Sequence, residues 1–175
     1  MTSYALQAAT ALHVLAAAVF VGSNVFLDFI LSRRLELIPP GQAARLSEKV
    51  GGDFALLNWT ALLVLLASGA ALILKLNLDP QLLTASFYTT GYGLALATMV
   101  ALWITIVGCS AVLTFYLRPR VLVKLPIDTR ILDVEPSRMQ SIAMASWMRR
   151  LARYNGVASM LAIVVGGSLR WGGFF

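Results

Sequence analysis

Charge is scarce in this chain. Asp, Glu, Lys and Arg make up 13% of its residues, about half the share of an ordinary soluble domain. There is one cysteine, Cys109. That excludes an intramolecular disulfide and a cysteine-based zinc site, and a lone cysteine in an apolar helix reads as a small packing residue. There is one histidine, His13, which excludes a haem held by two histidines of the same chain. No phosphate loop, nucleophile triad, metalloprotease motif or pair of catalytic carboxylates is present. From Met1 to Leu27 no charged side chain occurs. The positive segment of a cleavable signal peptide is therefore missing, and the first apolar run reads as a retained helix.

What remains is overwhelmingly apolar, 59% hydrophobic by residue. Four hydrophobic runs follow one another, predicting spans at about 4–31, 54–74, 87–117 and 151–171. At about 1.5 Å per residue the first three cross a hydrocarbon core of about 30 Å, the third with length to spare, while the fourth is marginal. The expected fold is all-α: an integral membrane four-helix bundle, with residues 1–175 forming a single transmembrane domain.

The net charge of +6 belongs to the connections, which argues for the positive-inside rule and against a nucleic-acid partner. Arg33, Arg34, Arg45 and Lys49 follow the first run, and only Lys75 follows the second. The third connection holds Arg118, Arg120, Lys124, Arg130, Arg138, Arg149, Arg150 and Arg153, and only Arg170 lies beyond the fourth run. This bias predicts that the first and third connections are cytoplasmic and that both termini lie outside, in the periplasm. Pro39, Pro40 and Gly41 predict a turn, followed by a short helix over Gln42–Val50 that stops at Gly51 and Gly52. Asp53 then caps the second span. Pro119, Pro126 and Pro136 break the third connection, after which Ser137 caps a basic amphipathic helix over about 137–150. That helix suits the anionic inner leaflet. Trp171, Phe174 and Phe175 suit the interfacial aromatic belt.

Polar residues inside apolar runs carry the functional signal. His13, Asn24 and Asp28 fall within roughly 60° of one another on the first helix, forming one polar face directed into the bundle. His13 is a candidate ligand to haem iron or copper, because imidazole is a favoured donor for both. A second ligand comes from Met99 or Met160, which lie near mid-depth, or from water or another subunit. Asp28 is placed to pair with an arginine, and Asn24 and Asn58 to bond between helices. Gly91 and Gly93 open the third helix, where they loosen its first turn or admit a cofactor. Small residues such as Ser23, Ser68, Gly69 and Ser110 permit close helix approach.

The segment Leu12-His13 followed by Ala16 to Gly22 resembles the first helix of the bacterial copper-resistance D family and of the related four-helix protoporphyrinogen oxidases. Their shared pattern, histidine then an aromatic residue and a glycine, falls here on His13, Phe20 and Gly22. Tyr92-Gly93-Leu94-Ala95-Leu96 is similar to the opening of the third helix in copper-resistance D proteins, and Arg150 and Asn155 match residues of the group's fourth helix. The resemblance implies a four-helix protein of a bacterial inner membrane, associated with haem b or copper, in electron transfer or metal handling. It departs at Thr98, where the group carries a lysine that accompanies the histidine in the oxidases. A haem-synthesis oxidase is therefore disfavoured, and catalysis is not the leading expectation. The alternative is an accessory subunit of a larger membrane complex or a homo-oligomer.

Overall fold

Long runs of Leu, Ala, Val and Ile without interior proline have little choice but helix, and helices are what the chain forms. The computed structural model describes residues 2–35, 37–38, 40–119 and 135–173. Helix α1 runs Thr2–Val25, passes through a π-helical stretch at Phe26–Leu31, and finishes at Ser32–Leu35. Helix α2 spans Pro40–Lys75. Helix α3 covers Gly91–Ala111 and continues as a second π-helical stretch, Val112–Leu117. Helix α4 spans Glu135–Leu169. No strand occurs among the described residues.

Three boundaries differ from the sequence expectation, each for a local reason. Gly51 and Gly52 do not stop a helix; α2 continues through them, so Asp53 sits in its interior and caps nothing. A glycine costs a helix about 1 kcal/mol relative to alanine, too little to break a segment packed along its length. The Arg118 guanidinium lies over this pair, 3.4–3.5 Å from where side chains would begin. Helix α3 starts at Gly91 and not at Phe87, because residues Ala85–Thr89 form a tighter 3-10 turn. Thr90 is the cap, its Oγ1 accepting from Gly93 N at 3.0 Å. Helix α4 begins at Glu135, placing Ser137 inside its first turn, and it joins the expected amphipathic helix and the fourth run into one element. Pro126 in the third connection, Pro39, Phe174 and Phe175 lie outside the described residues, as do the side chains of Met139 and Met144.

The helix ends are set by chain chemistry. Asn77 takes a left-handed conformation (φ 51°). Leu78 N then donates to Ile73 O at 3.0 Å and Asn77 N to Leu74 O at 3.2 Å, the paired bonds of a Schellman stop. Gly172 and Gly173 close α4 in the same way at φ 95° and 93°, a region that suits glycine.

Antiparallel pairing follows from the contacts. His13 meets Ser68 and Ser23 meets Asn58, so α1 runs against α2. Met99 meets Gly166 and Ser110 meets Asn155, so α3 runs against α4. The two pairs close along α1 and α4. Phe20, Ala61, Leu62, Ile106 and Ala158 form the buried centre.

Ser23, Ser68, Ser110, Asn155 and Ser159 are buried, whereas Leu12, Leu15, Leu63, Leu66 and Val164 are exposed. The bundle thus buries a few polar side chains beside an apolar centre and turns many large apolar side chains outward. Three segments, Tyr4–Leu31, Leu46–Lys75 and Gly91–Leu117, are long and apolar enough to cross a membrane.

Gly93 is buried beneath Phe87, and a Cβ there would collide with the Phe87 backbone carbonyl. Gly93→Ala is expected to cost about 1–3 kcal/mol through overpacking. Gly108→Ala, where open space surrounds the added methyl, is expected to hold or gain up to about 1 kcal/mol. Thermal unfolding of the two variants in the same detergent checks the contrast.

Candidate functional site

His13 sits on the inner side of α1, half-buried against α2. Its Nδ1 lies 2.9 Å from Ser68 Oγ. Ser68 in turn lies 2.6 Å from the Val64 carbonyl and 3.3 Å from that of Leu65. A hydroxyl carries one hydrogen, and the short contact to Val64 takes it. Towards the imidazole Ser68 can therefore only accept. This assigns the proton to Nδ1 of the neutral ring and leaves Nε2 with a free lone pair. Orientation of a ligand imidazole by a hydrogen bond to its other nitrogen is how metal-binding histidines are ordinarily held.

Gly69 makes room for this arrangement. A Cβ at that position would stand 3.4 Å from His13 Cε1 and 3.8 Å from Nδ1. Ser68 and Gly69 act as a unit, one orienting the ring and the other admitting it. The sequence marks both only as small residues. Their serine–glycine adjacency, one helical level from the lone histidine in an antiparallel pair, was the available signal.

The other proposed donors are placed as follows. Met99 directs its sulfur at Gly166 of α4, 3.5 Å from where a Cβ would begin. Met160 is on the outer face of α4, 43% exposed. Gly93 is enclosed by Phe87. Thr98 Oγ1 donates to Leu94 O of its own helix at 2.8 Å. Among the described residues no group of three or more His, Cys, Asp or Glu side chains is gathered around a metal-sized space. The donor set thus offers one imidazole nitrogen. A haem would be held through that nitrogen of His13, its remaining donors being supplied by the macrocycle. The donor set does not by itself make a copper site, which draws several protein donors.

Asn24 and Asp28 lie at the opposite end of the bundle. Both line a cavity of about 260 Å³ that also meets Asn58, Arg118, Arg149 and Asn155. Asn24 and Asp28 do share a surface, as their spacing requires, but Asn24 Nδ2 donates to Phe20 O within α1 at 2.7 Å. The interhelical bond belongs instead to its neighbour Ser23, 2.7 Å from Asn58 Oδ1. Between this cavity and His13 stands the apolar centre, led by Phe20 at 2% exposure. The polar face of α1 is therefore two sites on one helix.

No family model, curated protein or solved structure matches the chain.

Ser68→Ala removes the side chain hydrogen-bonded to His13 Nδ1. The expected result is a shift towards the tautomer protonated at Nε2, read from ring 15N chemical shifts, with a stability loss of about 0.5–1.5 kcal/mol.

Proposed function

We propose that the chain is a four-helix integral protein of a bacterial inner membrane in which His13 supplies one axial ligand to a haem b. The membrane part rests on the three long apolar segments and on the leucines they expose, with serines and Asn155 among the buried residues. A lipid solvent makes that arrangement stable and water does not. The fourth crossing uses the apolar second half of α4, and Arg170 reaches the outer interface by snorkelling. On the positive-inside rule the Asp28 end faces the cytoplasm and the His13 end the periplasm.

The single observation that carries the haem reading is the His13–Ser68–Val64 hydrogen-bonded chain, which holds the imidazole in place and, in the tautomer protonated at Nδ1, leaves Nε2 to bind a metal. When bound, haem iron supplies one-electron redox chemistry. The protein's own contribution is to orient the imidazole through Ser68 and to make space for it at Gly69. Met99 packs on Gly166 and Met160 faces outward; a second donor would come from one of them, from a small molecule or from a residue of another chain. Thr98 in place of a lysine weighs against haem-synthesis oxidase activity. The resemblance to copper-resistance D proteins supports the same class of redox or metal-handling role. A non-catalytic subunit of a larger membrane complex is the reading that follows if no cofactor is held.

Purification in mild detergent with an absorption spectrum tests this. A Soret band is expected in the wild type and in Cys109→Ala, and its loss in His13→Ala. A wild-type spectrum without the band, after expression with ample haem supply, overturns the assignment.

A further inference from the structure

The cavity at the Asp28 end has no part in the haem reading, yet it is lined by the most deeply buried polar residue among the described ones. Asn155 is 1% exposed and donates through Nδ2 to Ser110 Oγ at 3.1 Å. Its Oδ1 is buried and receives no hydrogen bond. Trp59, which lines the same cavity, holds its indole N–H buried without an acceptor. Two residues that line the cavity thus each carry an unmet polar atom beside it, at a cost of about 1–3 kcal/mol each unless something bonds to them. Whatever meets both must itself accept and donate.

The rim fixes the charge. Arg118 and Arg149 line the cavity against one acidic residue, Asp28, so the lining carries a net positive charge. Arg118 is held in place, donating to Glu48 O at 2.8 Å and resting over Gly51 and Gly52. A guanidinium has five donors, so this anchor leaves others for a ligand. At about 260 Å³ the cavity falls below the roughly 300–1,000 Å³ of pockets for drug-sized ligands. That size suits a head group and excludes a macrocycle.

Both π-helical stretches border this cavity: Leu27 and Asp28 come from the first, Leu113 and Thr114 from the second. Such stretches recur at functional sites, because the extra residue re-aims neighbouring side chains. Two of them at one level, in helices from different pairs, are not required by packing of the apolar centre above.

We infer that this cavity binds the head group of an anionic phospholipid whose phosphate carries a polyol, such as phosphatidylglycerol. The phosphate meets Arg118 and Arg149, a polyol hydroxyl donates to Asn155 Oδ1, and an ester or hydroxyl oxygen accepts from Trp59 Nε1–H. Basic pockets between membrane helices on the cytoplasmic side recognise lipid head groups in this manner. The inference rests on the membrane-spanning reading and is independent of the haem.

The test uses the full-length protein, extracted from carbonate-washed membranes and examined by native mass spectrometry after exchange into mixed phosphatidylglycerol and phosphatidylcholine. The wild type is expected to retain phosphatidylglycerol selectively. Arg149→Gln and Asn155→Asp, which puts a negative charge before the phosphate, are expected to weaken retention about tenfold or more, the loss of one charge-assisted hydrogen bond. Equal retention of the two lipids, or undiminished selectivity in both variants, overturns the proposal. Displacement by free glycerol 3-phosphate at matched concentration overturns the lipid source in favour of a soluble polyol phosphate. Should either variant fail to fold, the wild type decides: phosphatidylglycerol nanodiscs must raise its Tm above phosphatidylcholine nanodiscs. Loss of the protein in the carbonate wash overturns the membrane reading itself, a separate failure.

Discussion

Among the described residues, the buried serines bond to neighbouring helices and to the helix backbone, inside a bundle whose exposed faces are rich in leucine, valine and phenylalanine. Every other feature follows from that constraint. Ser68 satisfies itself on Val64 O and, in doing so, dictates which nitrogen of His13 carries the proton. Ser23 and Asn58 tie α1 to α2, and Ser110 and Asn155 tie α3 to α4. Where small residues line the helix faces, as at Gly69 and Gly166, the neighbouring helix brings a ring or a sulfur against the backbone. Hydrogen bonding and close approach together define the register of each antiparallel pair, in the absence of much difference in apolar burial between one face and another.

The same constraint divides the molecule along its length. His13 and Asn24 are eleven residues apart, about 16 Å of helix at 1.5 Å per residue. Between them Phe20, Leu62, Ile106 and the flanking alanines fill the bundle. A charge or a water chain passing from one polar end to the other would have to cross this apolar layer, whose desolvation penalty is large. The His13 end and the Asp28 end are therefore chemically separate compartments. One presents a single lone pair, and the other a basic rim over an unmet amide oxygen.

Much of the architecture was legible because it is one-dimensional. Charge-free runs of sufficient length specify helices wherever they occur. Alternating crossings follow from the basic-residue bias between connections, and His13 announces itself as the lone ionisable ring in an apolar segment. Element ends were less legible. The Gly51–Gly52 pair resembles a stop, but a glycine's helix penalty is small against the packing of a long helix and the Arg118 side chain laid across it. The 3-10 turn before Gly91 depends on the Phe87 carbonyl meeting both Thr90 and Gly93, a contact that no periodicity encodes.

By itself the sequence determined an all-helical chain, its long apolar segments, the clustering of arginines at one end, and the identity of the one available imidazole. These depend on composition and spacing along a single chain. Only the tertiary structure decided that His13 is oriented by Ser68 and admitted by Gly69, and that Asn24 turns to its own backbone while Ser23 bridges. It alone brought Asn155, Trp59, Arg118 and Asp28 around one cavity. Those outcomes hinge on the relative register of two helices and on π-helical stretches that rotate side chains out of their regular positions. Hydrogen-bond donors and acceptors select their partners at distances of about 3 Å, a precision set by packing between helices and not by any one helix alone.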